Sequence, residues 1–271
     1  KNQCQSSDIG REAVNEKLTR LWATKTKDDE WWSSFVTSPL AIALNYLVVD
    51  IKWLTPNLIT LISFITAIIA SLLIVIGGSA NFVSAAVLIH LSHVFDCMDG
   101  QMARYRKATS LSGGFYDKLS DQIQVTLWFG AVGYAAYSQT NDVIPVLLAF
   151  TGVAFYSLRG YVKYVTIYTK MSQDSSFLEK LAIQDSSAKK EDVAGLGFGV
   201  LANLRWFFNE QRKIIAFNEG VFIFMLSLAL ILDALVPMLW VFAVSQLFYG
   251  LARGMQRGQA IDRNRKISVE K

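Results

Sequence analysis

The chain has 271 residues, of which 52% are hydrophobic and 18% are charged, and its formal net charge is +4. Only two cysteines are present, which excludes a disulfide framework. The hydrophobic residues fall in runs that are apolar all round, and this argues against a soluble helical protein, whose helices carry an apolar stripe.

The N-terminal region, residues 1–51, is predicted to hold cytosolic and interfacial helices. Residues 8–30 are charged with scattered apolar positions, which indicates a helix in the cytosol or on the membrane surface. Residues 38–51 are too short to span a membrane, and Pro39 suits a helix start. We therefore expect an amphipathic helix that lies in the membrane interface.

Six apolar runs follow, each near the ~20 residues that a membrane-spanning helix needs once its flanks are included. They are residues 57–76, 82–95, 125–137, 143–158, 214–232 and 234–252. The sequence therefore predicts an all-α integral membrane protein with a six-helix membrane domain over 52–256. A cytosolic loop is expected at about 170–213, and residues 257–271 are expected to form a cytosolic tail.

The distribution of basic residues predicts the topology of these spans. The connections at 77–81, 138–142 and 233–237 contain no Lys or Arg, whereas the opposite flanks are basic. By the positive-inside rule, both termini and the long loop are cytoplasmic, which agrees with an even number of spans. The basic stretches are thus interpreted as membrane flanks, and no nucleic-acid partner is expected.

An acidic motif interrupts the apolar sequence. It reads D-C-M-D-G-Q-M-A-R from Asp96 to Arg104 and, after eight residues, G-G-F-Y-D-K-L-S-D from Gly113 to Asp121. A charged side chain at a helix centre in the membrane costs roughly 2.5–3.5 kcal/mol. Four carboxylates therefore need neutralisation, for which divalent metal is the obvious candidate.

The spacing of the motif places its polar residues on one face of each of two helices. Residues three or four apart share a helix face. Two consecutive helices with a short connection are antiparallel neighbours, so both polar faces can point into one cavity. Such an arrangement suits a two-metal site for phosphoryl chemistry. Oxygen ligands favour Mg²⁺, Mn²⁺ or Ca²⁺ over zinc.

Small residues and one arginine complete the predicted site. Gly100, Ala103 and Gly113 lack bulk, which would let a nucleotide lie against the helix backbones. Arg104 suits a phosphate oxygen, although a side chain that snorkels at the membrane boundary is an alternative. Asp96 lies ~12 Å along the helix from Arg104, so the cavity would open to the cytosol and reach the acyl region.

The motif D-x-x-D-G-x-x-A-R-x8-G-x3-D-x3-D resembles the signature of the CDP-alcohol phosphotransferase (CDP-alcohol phosphatidyltransferase) family, and every defined position matches. The resemblance extends to Pro56-Asn57-x-x-Thr60 and covers roughly residues 38–256. It implies an enzyme that displaces CMP from a CDP-linked donor with an acceptor hydroxyl, uses two divalent ions, Mg²⁺ or Mn²⁺, and forms a homodimer.

Carried over by position, the resemblance implies roles for individual residues. The metal ligands would be Asp96, Asp99, Asp117 and Asp121, and Asp121 would also act as general base. The nucleotide would be bound by Asn57, Thr60, Gly100, Ala103, Arg104 and Gly113.

Two further pairs of residues lie outside the motif. Asn218 and Glu219 stand at the mouth of the predicted fifth span, where they could contact the acceptor or a cationic headgroup, or merely cap the helix. His90 and His93 are expected to be hydrogen-bonded core histidines rather than ligands.

The expected function is transfer of a phospho- or phosphono-alcohol headgroup from a CDP- or CMP-activated donor to a lipid hydroxyl such as that of diacylglycerol. Two features favour this direction: the presence of Glu219 and the lack of an evident phosphate-binding arginine pair near the motif. The alternative is transfer from CDP-diacylglycerol to a soluble alcohol such as serine, inositol phosphate or glycerol phosphate.

Two alternatives belong to other classes. A cation transporter or channel would distribute its acidic residues along a pathway through the membrane, whereas here they cluster on two consecutive helices. A catalytically dead scaffold is the other. We expect a multi-pass membrane protein with its active site near the cytosolic face, in the inner membrane if the source is bacterial.

Overall fold

The computed structural model describes residues 16–25, 31–181 and 219–269, together with positions 200, 201, 204 and 207. Seven α-helices are named here in chain order: α1 Ser38–Val48, α2 Pro56–Ile76, α3 Ser79–Tyr105, α4 Leu111–Thr140, α5 Ile144–Gln173, α6 Glu219–Ile231 and α7 Leu235–Val269. Regular structure in the described ranges is helical throughout, which confirms the predicted all-α class.

Two shorter helical pieces precede α1. Residues 16–22 form a helix, and Ser33–Thr37 forms a π-helical turn that leads directly into α1. Several predicted segments lie partly outside the described residues: 8–15 and 26–30 of the N-terminal helix, 182–199, 202–203, 205–206 and 208–213 of the cytosolic loop, and 214–218 of the fifth span. The described helix α5 continues to Gln173, and the bounds of the loop stay a prediction.

Local sequence explains the helix boundaries around the motif. The hydroxyl of Thr55 accepts a hydrogen bond from the backbone N–H of Leu58, and Pro56 occupies the first turn of α2. The hydroxyl of Ser110 caps α4 in the same way, by accepting from the backbone N–H of Gly113 at 3.0 Å. Both helices thereby begin beside the end of α3.

At its other end, α2 is joined to α3 by a tight reversal. Gly77 and Gly78 have φ angles of 77° and 89°. Glycine adopts this left-handed region without the steric cost of a Cβ. The reversal makes α2 and α3 antiparallel neighbours, and α4 packs beside α2 in turn.

The main core lies where the six helices α2 to α7 meet away from the motif. Many of its buried residues are alanines, such as Ala67, Ala70, Ala85 and Ala135, which allow helix backbones to approach closely. Phe129 stacks on Phe242 with ring centroids 3.6 Å apart. A second core cluster packs α1 against the stretch of α3 that carries the motif, through Val94, Met98 and Met102. The two clusters hold α3 along most of its length.

Four of the described helices are long and apolar enough to cross a membrane: Pro56–Ile76, Ser79–Tyr105, Ile144–Gln173 and Leu235–Ile261. The predicted third and fifth spans correspond to α4 and α6. The polar residues of the motif lower the hydropathy of α4, and α6 has only 13 described residues, fewer than the ~20 of a span. Six spans therefore remain a prediction.

A glycine-to-alanine change tests the packing of α5 on α7. A Cβ added to Gly152 would lie 2.3 Å from Cδ1 of Phe242, a ring that is fully buried. We expect Gly152→Ala to lower the free energy of unfolding by about 1–3 kcal/mol, because an overpacked core must shift. Thermal unfolding in detergent, followed by tryptophan fluorescence, measures the change.

The matched control is Gly160→Ala on the same helix, where a Cβ would meet nothing within 4 Å. It should be neutral or slightly stabilising, since alanine favours helix over glycine. Equal effects of the two substitutions would contradict the packing described here.

Candidate active site

A cavity of 480 Å³ lies where the start of α2, the end of α3 and the start of α4 converge. All six residues predicted to bind a nucleotide line it: Asn57, Thr60, Gly100, Ala103, Arg104 and Gly113. Three of the four predicted metal ligands also line it: Asp96, Asp99 and Asp117.

These three carboxylates lie close enough together to hold one metal ion. Asp96 and Asp99 stand one turn apart on α3, and Asp117 faces them from α4. Each offers an oxygen, and the three oxygens lie within 4.8 Å of one another. Because every donor in the set is a carboxylate oxygen, the group fits a hard cation such as Mg²⁺ or Mn²⁺.

A hydrogen bond ties this group to the third helix of the site. The hydroxyl of Thr60 on α2 donates to Oδ2 of Asp99, which is buried. The oxygen of this hydroxyl also lies 3.2 Å from the carbonyl oxygen of Pro56 one turn earlier. Thr60 thus holds one carboxylate in place from a helix that itself carries no acidic residue.

The fourth carboxylate, Asp121, lies one turn beyond Asp117 on α4. It does not line the large cavity but a neighbouring one of 40 Å³, which it shares with His93 and Asp96. Asp96 lines both cavities. Asp121 therefore stands next to the three-carboxylate group without belonging to it.

Lys118 is a residue of the site that sequence reasoning missed. Its Nζ lies 2.8 Å from Oδ2 of Asp117 and 3.0 Å from Oδ2 of Asp121, and the side chain lines the large cavity. It occupies an undefined position of the motif. The signal that could have revealed it is its spacing, since a lysine three residues before an aspartate can pair with it on one helix face.

The two glycines leave room for neighbouring polar groups. A Cβ on Gly100 would lie 3.2 Å from Nη1 of Arg104. A Cβ on Gly113 would lie 2.9 Å from the Ser110 hydroxyl that caps α4, and 3.5 Å from Oδ1 of Asn57. Arg104 thus lies across the α3 backbone and lines the cavity, and its Nε donates to the carbonyl oxygen of Thr24 at 2.7 Å.

Both histidines near the motif are hydrogen-bonded, which agrees with the interpretation from sequence. Nε2 of His93 lies 2.9 Å from the hydroxyl of Ser33, and Nδ1 of His90 lies 3.0 Å from that of Ser227. His93 nevertheless lines both cavities, so it lies closer to the site than the interpretation from sequence implied.

The predicted headgroup residues lie at the edge of the description. Asn218 lies outside the described residues. Glu219 is described only through its backbone, as the first residue of α6. Their role stays a prediction.

An apolar groove of 230 Å³ adjoins the large cavity between α2 and α4. Leu61 and Phe64 line it from α2, and Leu119 and Ile123 line it from α4. Its remaining lining residues are Asn57, Thr60, Tyr116 and Ser120, of which Asn57 and Thr60 also line the cavity. A polar site and an apolar groove thus share one wall.

Comparison with known proteins gives two matches. A family model described as CDP-alcohol phosphatidyltransferase matches residues 53–244, a range that contains both halves of the acidic motif. The chain is also 27% identical over 130 residues to the bifunctional IPC transferase and DIPP synthase of Thermococcus kodakarensis (strain ATCC BAA-918 / JCM 12380 / KOD1). That similarity covers 48% of this chain but only 29% of the length of the relative.

Removal of the Lys118 charge should strengthen metal binding. The ammonium competes with a divalent cation for Asp117 and Asp121, and a partly exposed ion pair is worth up to about 1 kcal/mol. We therefore expect Lys118→Gln to lower the Kd for Mn²⁺ by up to about fivefold, measured by isothermal titration calorimetry. Lys163→Gln, an exposed lysine on α5, is the control for total charge. An unchanged or higher Kd in Lys118→Gln would contradict this competition.

Proposed function

The chain belongs to the CDP-alcohol phosphatidyltransferase family, and on that premise we propose that it is an integral-membrane enzyme of lipid synthesis. It transfers a phospho- or phosphono-alcohol headgroup from a CDP- or CMP-activated donor to a lipid hydroxyl such as that of diacylglycerol, and it releases CMP. The supporting observation is the cavity in which carboxylates from α3 and α4 face the small residues of the motif.

Two divalent ions, Mg²⁺ or Mn²⁺, are proposed for this site, held by Asp96, Asp99, Asp117 and Asp121. The oxygen-only donor set and the 4.8 Å spacing of the first three carboxylates support the fit. When bound, such ions polarise the phosphoryl group under attack and neutralise the charge on the leaving CMP. Asp121, which shares the small cavity with Asp96, would help to hold the second ion.

The remaining residues of the cavity bind and orient the donor in this proposal. The nucleotide lies along Gly100, Ala103 and Gly113, where the helix backbones are accessible. Asn57 on α2 contacts the nucleotide, and Arg104 contacts its pyrophosphate through a planar guanidinium that suits phosphate oxygens. Thr60 contributes by holding the Asp99 carboxylate.

Asp121 is proposed as the general base. It lines the small cavity with His93 and Asp96, whereas Arg104 lines the large one. An acceptor hydroxyl in that position would pass its proton to an Asp121 oxygen as the new bond to phosphorus forms. The bond from phosphorus to the CMP oxygen breaks on the opposite side.

A lipid substrate is supported by the apolar groove between α2 and α4. Because the groove shares Asn57 and Thr60 with the polar cavity, an acyl chain in the groove would bring its glycerol end to the site.

We place the groove within the bilayer and the cavity near the cytosolic face. Six spans with both termini cytoplasmic, and a homodimer, complete the proposal. In support of the third span, α4 has 30 residues, a length of about 45 Å.

Transfer in the other direction, from CDP-diacylglycerol to a soluble alcohol, is the second candidate. The same groove would accept the acyl chains of that donor. The nearest arginine to the motif, Arg106, donates to the carbonyl oxygens of Val49, Ile51 and Leu54. Because its donors are used in this way, Arg106 is not the partner of Arg104 in a phosphate-binding pair, and headgroup transfer to a lipid remains the favoured direction.

Release of CMP tests the proposal. Purified protein with Mg²⁺, diacylglycerol and either CDP-ethanolamine or CMP-aminoethylphosphonate should release CMP. Asp121→Asn should lower kcat by about 10²–10⁴-fold, the contribution expected of a general base. Asp142→Asn is the matched control, because Asp142 lies in the short loop before α5, at the opposite end of α4 from the motif.

Other outcomes would contradict the direction of transfer, the enzyme class or the role of Asp121. CMP release only with CDP-diacylglycerol and a soluble alcohol would reverse the direction of transfer. Cation transport without turnover would indicate a transporter. Undiminished activity of Asp121→Asn would remove Asp121 from the mechanism.

A bulky substitution in the groove tests the path of the acyl chain. Ile123 lines the groove and is 37% exposed. Leu127, one turn further along α4, is also 37% exposed, and it is not among the residues that line the groove. We expect Ile123→Trp to raise the apparent KM for diacylglycerol severalfold without a change in the KM for the CDP donor. Leu127→Trp should leave both constants unchanged, and equal behaviour of the two variants would contradict an acyl chain in this groove.

A further inference from the structure

One residue that lines the cavity, Arg104, is hydrogen-bonded to a distant part of the chain. Nε of Arg104, the arginine of the motif, donates to the carbonyl oxygen of Thr24 at 2.7 Å. Thr24 follows the helix 16–22 and is itself buried, and its hydroxyl donates to the carbonyl oxygen of Leu21 at 2.6 Å. The carbonyl that holds Arg104 is therefore fixed by local structure.

The helix 16–22 is attached to the body of the protein at several points. Leu21 is fully buried. Nζ of Lys17 lies 2.5 Å from Oδ2 of Asp50, just beyond α1. The guanidinium of Arg20 lies 4.5 Å from the ring centroid of Tyr105, the residue that follows Arg104. Apolar burial, an ion pair and a cation–π contact together seat this helix beside the end of α3.

This contact sets Arg104 apart from its neighbour Arg106. The guanidinium of Arg106 donates through all three of its nitrogens to backbone carbonyls that follow α1. Arg104 gives Nε to Thr24, and its Nη1 lies over Gly100 on the wall of the cavity. Arg106 thus stabilises the loop that follows α1. Arg104 is held through its Nε, and its side chain lines the cavity.

We propose that the segment 16–25 is a positioning element of the nucleotide site, which holds the Arg104 guanidinium in the orientation that binds the pyrophosphate of a cytidine diphosphate. A free arginine side chain must lose rotamer freedom when it binds an anion, and a side chain that is already held does not. The segment therefore raises affinity for the nucleotide without touching it. This inference rests on the proposed function, because it takes CDP as the ligand.

The test detaches the helix in the full chain and measures the Kd for CDP with Mg²⁺ by isothermal titration calorimetry. Leu21→Asp puts a charge at a fully buried position. Since the ordering of one long side chain costs about 0.5–1.5 kcal/mol, the Kd should rise about twofold to thirteenfold. In turnover assays the KM for the CDP-linked donor should rise by the same factor while kcat is kept.

Leu18→Asp is the matched control. It makes the same chemical change on the same helix at a position that is 37% exposed, and it should leave the Kd for CDP unchanged. The combined substitution Lys17→Ala and Arg20→Ala is a milder way to loosen the helix. It should also raise the Kd for CDP, and it provides the test if Leu21→Asp does not fold.

A double-mutant cycle with Arg104→Ala gives the decisive measurement. If the helix acts through Arg104, Leu21→Asp has no further effect on the Kd in the Arg104→Ala background. An equal rise in Kd in both backgrounds would overturn the proposal, and so would an unchanged Kd in Leu21→Asp when hydrogen exchange shows residues 16–25 to be released. If the unsubstituted protein does not bind CDP, the proposed function fails as well, so the two failures are distinguishable.

Discussion

The burial of acidic side chains among apolar helices is the constraint on which the site depends. Three carboxylate oxygens lie within 4.8 Å of one another at the end of two long helices. Like charges at this distance repel, and each would cost several kcal/mol to bury alone. The protein compensates with a threonine hydroxyl on Asp99 and a lysine ammonium on Asp117 and Asp121. This arrangement of carboxylates attracts cations, and the ammonium group of Lys118 is one such cation.

The glycines of the motif leave room for polar side chains at the site. A Cβ on Gly100 would lie 3.2 Å from Nη1 of Arg104, and one on Gly113 would lie 2.9 Å from the Ser110 hydroxyl that caps α4. The alanine-rich core farther along the helices allows their backbones to approach closely. The alanine-rich core therefore holds together the same helices that carry the residues of the polar cavity.

Much of this arrangement could be predicted from the order of residues. Spacing of three and four along a helix places Asp96 with Asp99 and Gly113 with Asp117, and a short connection makes their helices neighbours. The motif also led to the family that comparison later supported. Such features depend on local periodicity, which the sequence displays directly.

Other features depend on contacts that no local pattern reveals. The bond between Arg104 and Thr24 joins residues 80 positions apart. The separation of Asp121 from the other carboxylates depends on how α4 is rotated against α3, and its ion pair with Lys118 depends on one side-chain conformation. The number of spans is similarly hard to predict, because a helix that carries part of the acidic motif cannot also be uniformly apolar.

The groove between α2 and α4 is open along its length as well as at the cavity. Leu61, Tyr116 and Leu119 are each about half exposed, so they face whatever surrounds the helices. A hydrocarbon tail could therefore enter and leave sideways, within the plane of the bilayer, while its polar end stayed at the site. If a lipid binds there as proposed, the rate would depend on the mole fraction of that lipid in the membrane rather than on its bulk concentration, and the product would be released within the bilayer.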